Sequence, residues 1–188
     1  MKTVVLSGSR LGSTTRTVMN YVATALSAID EPLDVDLFDL ADLDLQFSDG
    51  RNYLEYTGDT LRLTQALMDA DTILLGTPIF QASIPGALKN VFDLLPVDAF
   101  QDKVVGLAVT AGSPKHYLVA EQQLRPILTY MKAQVVQSYV FVESKDVHRS
   151  EIVSDDVTLR LDRLVEDAVV LSKTYSQMRA EREAAYAF

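Results

Sequence analysis

The stretch TILLGTPIFQASIPGALKNVFDLL, residues 72–95, carries three signals in one run. Thr72–Gly76 is short and nearly continuously apolar, the pattern of a strand covered on both faces. The segment from Gly76 to Ser83 interrupts it with Gly76 and Pro78. From Ile84 onward, Ile84, Leu88, Val91, Phe92 and Leu95 keep helical spacing on one face. Pro85 falls in the first turn of that helix, where its missing N–H costs little. A buried strand that turns straight into an amphipathic helix is half of a β-α-β unit.

The same alternation extends in both directions. Further strands are expected at Thr3–Ser7, at Asp34–Phe38 (where Val35 and Leu37 alternate with acids), at Val104–Thr110 and at Gln134–Val142. Val18, Val22, Ala25, Leu26 and Ile29 place a helix after the first strand. Strand–helix alternation with right-handed crossovers gives an α/β fold. Five parallel strands predict a flavodoxin-like three-layer α/β/α sandwich with strand order 2-1-3-4-5. Residues 41–58 lack a clear period and read as a long surface loop of the functional or mobile kind. From about Asp156 the apolar positions Val157, Leu161, Leu164, Ala168, Leu171, Tyr175 and Met178 alternate by four and three. That helix is expected to lie on the sheet, with the part beyond Met178 available to another subunit. With 188 residues and no repeat or linker, residues 1–188 read as a single domain.

Composition narrows the chemistry. The apolar fraction of 48% suffices for a core, and the net charge of −9 argues against nucleic acid and against an anionic membrane surface. No cysteine is present, so disulfides, thiolate metal sites, iron–sulfur clusters and a Cys nucleophile are excluded. His116 and His148 alone make a histidine-rich metal site improbable. Redox chemistry would need a bound organic cofactor. No signal peptide and no run of ~18 apolar residues is present, so a cytoplasmic location is the default expectation.

Three loops stand at the ends of strands. Ser7-Gly8-Ser9-Arg10-Leu11-Gly12-Ser13-Thr14-Thr15-Arg16 follows the first strand and opens a helix. Hydroxyls, two arginines and the unpaired N–H groups of the helix start suit a phosphate monoester. The competing reading is an ordinary N-cap at Ser13 or Thr14. Neither G-x-x-x-x-G-K-[ST] nor G-x-G-x-x-G is present, so the loop fits neither an NTPase nor a dinucleotide fingerprint. Gly76-Thr77-Pro78-Ile79-Phe80-Gln81-Ala82-Ser83 ends the third strand, and Phe80 offers a face to a flat heterocycle or packs inward. Thr110-Ala111-Gly112-Ser113-Pro114 ends the fourth, where glycine lets a ligand approach backbone amides. In open α/β sheets, ligands bind outside the carboxyl ends of the strands. Three loops on one edge therefore point to a single-phosphate cofactor such as FMN.

Gly8-Ser9-Arg10 with Ser13, Thr77-Pro78-Ile79-Phe80, Pro85-Gly86-Ala87-Leu88-Lys89-Asn90 with Phe92-Asp93 and Leu95, and the Gly112 loop resemble the NADPH-dependent FMN reductases of flavodoxin-like fold. Gly86–Pro96 and Leu124–Leu128 resemble most closely the reductases that feed two-component sulfonate monooxygenases. The resemblance implies that Ser9, Arg10, Ser13, Thr14 and Thr15 hold the FMN phosphate. It implies that Pro78, Ile79 and Phe80 line the ribityl chain and ring, and that Thr110, Ala111, Gly112 and Ser113 meet the far end of the ring. NADPH or NADH would pass hydride to the flavin. That step needs no acid–base residue, so neither His116 nor a carboxylate is nominated as catalytic, and no metal is expected. Family habit implies a homodimer or homotetramer and a flavin-dependent monooxygenase as partner. One departure stands out. Some sulfonate-type reductases carry an inserted tyrosine that bulges the helix over about Lys115–Met131, and Gln122 occupies that place here. Pro126 removes a backbone bond to the Gln122 carbonyl, so a local distortion is expected regardless.

Two other functions share the pocket. One is an FMN-bound reductase of quinones, azo dyes or metal oxyanions. The other is a flavodoxin-like electron carrier without a nicotinamide site. A nucleotide-phosphate binding module without catalysis is a third class. Arg10, Arg16, Lys115 and Arg51 are the cations that a 2′-phosphate could use.

Overall fold

Val4 and Leu6 point into one core, and Val5 between them points into another. The same split recurs at Ile73 and Leu75 against Leu74. A strand buried on both sides needs a helical layer on each. The computed structural model describes residues 1–30 and 32–186 and shows those two layers. The strands of the main sheet are β1 (Lys2–Ser7), β2 (Asp34–Asp39), β3 (Thr72–Pro78), β4 (Val104–Ala111), β5 (Gln134–Val135) and β6 (Val140–Glu143), and a separate antiparallel pair joins Val147–His148 to Glu151–Ile152. All strands of the main sheet pair in parallel, in the order β2-β1-β3-β4-β5, with β6 also on β4. Helices α1 (Thr14–Ser27) and α5 (Asp155–Tyr186) cover one face. Helices α2 (Gly58–Asp69), α3 (Gly86–Asp93) and α4 (Arg125–Tyr130) cover the other. Gly76 lets α1 sit close, since a Cβ there would stand 2.4 Å from the Met19 side chain.

Four departures from the sequence reading have physical causes. The expected strand Gln134–Val142 is broken in two. The Val136 and Gln137 carbonyls leave the ladder and accept from the Arg125 guanidinium at 3.5 and 3.0 Å. Pro85 is the N-cap of α3, one residue before the helix begins. Residues 41–57 are tied down, with Leu43 and Tyr56 buried. Ser48 N–H donates to Asn90 Oδ1 at 2.9 Å, and Asn90 Nδ2 donates to the Gln46 carbonyl at 2.9 Å. The segment Lys115–Met131 is not one helix. A 3₁₀ turn (Pro114–His116) is followed by a π turn (Ala120–Leu124) and then α4. Arg125 N–H reaches back to the Ala120 carbonyl, because Pro126 cannot donate to Gln122. The distortion expected at Gln122 is thus present without an inserted tyrosine.

A small third core joins Val109, Ala111, Ala120 and Phe141, with Ile79 and Tyr139 packed against it. The Tyr139 hydroxyl donates to the Tyr117 carbonyl. Burial, with the Tyr117 contact second, holds the Tyr139 phenol well above its ordinary value of 10.0. The unfolded chain loses this proton near the ordinary value and the folded chain keeps it. Tyr139 therefore contributes stability below that pH and loses it as pH rises. The advantage of wild type over Tyr139→Phe in thermal midpoint is expected to shrink between about pH 9 and pH 11. A gap that stays constant over that range refutes this. Among the described residues, no helix is long and apolar enough to cross a membrane.

Candidate cofactor cleft

The carboxyl ends of β1, β3 and β4 carry the three loops, and parallel pairing brings them together. Register places Ser7 beside Gly76 and Pro78 beside Thr110. Gly8 N–H donates to the Gly76 carbonyl at 2.7 Å, and Ile79 N–H to the Thr110 carbonyl at 3.0 Å. Between the loops lies a cleft of about 340 Å³. Thr14, Thr15, Pro78, Ile79, Phe80, Thr110, Ala111 and Gly112 line it, together with Leu11, Gly12 and Ser144. A larger hollow of about 620 Å³ lies between residues 136–140 and α5. It has no converging strand ends or helix start, so size alone does not mark the site.

The start of α1 is chemically unfinished. Ser13 is the N-cap residue, yet its side chain caps nothing. The N–H groups of Thr14, Thr15 and Arg16 have no partner among the described residues. Ser13 thus holds the N-cap position without capping, and these N–H groups are open to water or to an anion. Ser7 Oγ, at the root of the same loop, is buried without a partner among the described residues. Gly12 has φ +84°, a left-handed turn that glycine accepts freely. At the second loop, Phe80 and Ser83 exchange two backbone bonds of 2.9 and 3.0 Å. The residues between them, Gln81 and Ala82, both have positive φ, at 49° and 57°. Non-glycine residues held in that region mark a turn fixed by its surroundings.

Four nominated residues stand outside the lining. Ser9 is buried, and its hydroxyl shapes the loop by donating to the Leu11 carbonyl at 2.6 Å. Ser113 accepts from Lys115 N–H at 3.3 Å and so caps the following turn. Arg10 and Ser13 are exposed beside the cleft mouth, and Arg10 makes no ion pair among the described residues. Arg16 faces elsewhere. It bonds Asp39 at 2.7 Å and Asp42 at 2.8 Å, and those carboxylates, Asp42 foremost, raise its pKa further. Arg51 is likewise paired, with Asp49. Of the four candidate cations, only Arg10 and Lys115 have no carboxylate partner among the described residues. Ser144, at the end of β6, is the one hydroxyl of the lining that the sequence reading missed. It stands 3.9 Å from where a Cβ on Gly112 would be. Following the fifth strand to its carboxyl end would have found it.

Comparison with known proteins places the chain in a family. The family model described as NADPH-dependent FMN reductase matches residues 1–147. The chain is 36% identical over 170 residues to an NAD(P)H-dependent FAD/FMN reductase of Geobacillus thermodenitrificans, covering 90% of this chain and 92% of that one. Among solved structures, the apo form of an NADH:FMN oxidoreductase, EmoB, superposes with TM-score 0.73 at 31% identity, over 88% of this chain and 86% of that one. Oxidised flavodoxin 1 of Bacillus cereus shares the fold, with TM-score 0.62 at 16% identity over 90% and 97% of the two chains. The chain belongs to the NADPH-dependent FMN reductase family, oxidoreductases that take FMN and a nicotinamide nucleotide.

Proposed function

We propose that the cleft between Gly12, Phe80 and Gly112 holds FMN for reduction by NADPH or NADH. The observation that carries this is the uncapped start of α1 opening onto a cleft lined by Phe80 and Gly112. The N–H groups of Thr14 and Thr15 and the Ser13 hydroxyl receive the phosphate, with Arg10 as the free cation beside them. Pro78, Ile79 and Phe80 wall the middle of the cleft. Ala111 and Gly112 present backbone to the ring end, where Ser144 adds a hydroxyl. Ser9 and Ser113 act through the loops they shape.

When bound, FMN supplies the hydride acceptor. The chain's own residues hold it by one edge and leave the mouth open to a nicotinamide. No side chain of the cleft has to move a proton for that step. Arg10 and Lys115 are the cations left for a nicotinamide 2′-phosphate. Residues 1–188 act as one domain in the cytoplasm, as a homodimer or homotetramer. A flavin-dependent monooxygenase is the acceptor suggested by the block from Gly86 to Pro96.

Mixing the purified protein with FMN and then adding NADPH or NADH under argon tests the reading. Flavin absorbance is expected to bleach within seconds to minutes and to return on admission of air. Protein that leaves the flavin oxidised with both nucleotides overturns it. Intersecting initial-rate lines with FMN as varied substrate mark a reductase that releases its flavin. Parallel lines with tightly retained flavin mark the quinone or azo-type alternative.

A further inference from the structure

Thr15, in the first turn of α1, and Thr110, near the end of β4, were assigned above to opposite ends of the ligand. The structure places their hydroxyl oxygens 2.7 Å apart. Both residues are buried, at 3% and 2% exposure, and both line the cleft. Each is held from behind. A Cβ on Gly76 would stand 3.1 Å from the Thr15 methyl, so that methyl packs over β3, and threonine has few χ1 choices. The Thr110 carbonyl accepts from Ile79 N–H at 3.0 Å.

Two hydroxyls carry two protons and four acceptor lone pairs. The bond between them uses one proton. The other has no acceptor among the described residues, and a buried O–H left unmatched is costly. The pair therefore offers one donor and spare lone pairs to whatever fills the cleft. Its place is fixed by the chain: Thr15 lies in the first turn of α1, beside the unpaired N–H groups, and Thr110 lies two residues before Gly112. That is the middle of the cleft, between its anion end and its flat end.

We propose that the Thr15–Thr110 hydroxyl pair is a positioning element that grips the polyhydroxyl chain between phosphate and ring, and so selects flavins that carry that chain. The proposal rests on the flavin reading of the cleft. It differs from a phosphate role for Thr15 and from a purely structural cross-link between α1 and β4.

Flavin fluorescence titrations with FMN, riboflavin and lumiflavin (a flavin ring lacking the chain) separate these possibilities. Thr15→Val and Thr110→Val are each expected to weaken FMN and riboflavin by the same factor, about 3- to 10-fold. Lumiflavin affinity is expected to stay unchanged. The double variant should lose no more than about 2-fold beyond the weaker single, because the two hydroxyls act as a unit. Thr15→Ser and Thr110→Ser keep the hydroxyls and should retain FMN affinity, which covers the case of a valine variant that folds poorly. Equal losses for lumiflavin, a loss confined to FMN, serine variants as weak as valine, or no loss at all would each overturn the proposal. Wild-type protein that binds none of the three overturns the flavin reading itself, and this inference with it.

Discussion

Gly8→Ala is expected to abolish tight FMN binding and to lower the thermal midpoint together. A Cβ at Gly8 would lie 2.8 Å from the Gly76 carbonyl oxygen and 3.1 Å from a Leu88 methyl. That oxygen cannot retreat, because it accepts the Gly8 N–H at 2.7 Å and belongs to the central strand β3. Overpacking of this kind costs about 1–3 kcal/mol, which for a chain of this size lowers the midpoint by about 2–12 °C. The displaced loop carries Gly12, Ser13 and the start of α1, so FMN affinity should fall by more than about 10-fold. Calorimetry and flavin titration of one preparation check both parts. A variant that keeps its affinity would mean that the loop and the cleft are independent.

Gly112→Leu should separate what Gly8→Ala joins. Gly112 has ordinary φ, and a Cβ there would meet only Ser144 Oγ, at 3.9 Å. The backbone therefore accepts a side chain without strain. The isobutyl group instead enters the cleft between β4 and Ser144, where the ring end is placed. FMN affinity is expected to drop by about 100-fold or more while the thermal midpoint moves by less than about 2 °C. Retained affinity would place the ring elsewhere. Loss of fold would mean that Gly112 serves packing.

The strands that sit deepest were the most legible. Val104–Thr110 and Thr72–Gly76 are read from their own residues, because a strand buried on both faces must be apolar throughout. The outer strand was not. Its break after Val135 depends on Arg125, which reaches the next two carbonyls from another element. The helix over residues 58–69 and the ordering of residues 41–57 were also missed. Tyr56 is anchored by a hydrogen bond to Asp49 and by burial, neither of which has a periodic signature.

At the cleft, loop composition located eight of the lining residues, since glycine, proline and hydroxyls at strand ends announce a ligand edge. Composition could not show which side chains are engaged elsewhere. Arg16 read as a phosphate cation, yet Asp39 and Asp42 hold it at the end of β2. Ser9 read as a phosphate donor, yet its hydroxyl closes its own loop. The Thr15–Thr110 contact joins positions 95 residues apart and is visible only once α1 and β4 are packed.

Arg125 and Arg160 also bear on whether a further strand can add to this sheet. Arg125 occupies the Val136 and Gln137 carbonyls, and Arg160 reaches the Phe141 carbonyl at 3.4 Å. These acceptors lie at the outer margin of the sheet, in the break after β5 and in β6. A neighbour's strand would have to displace two guanidinium groups before it could pair there. Growth of the sheet from copy to copy is blocked at that margin.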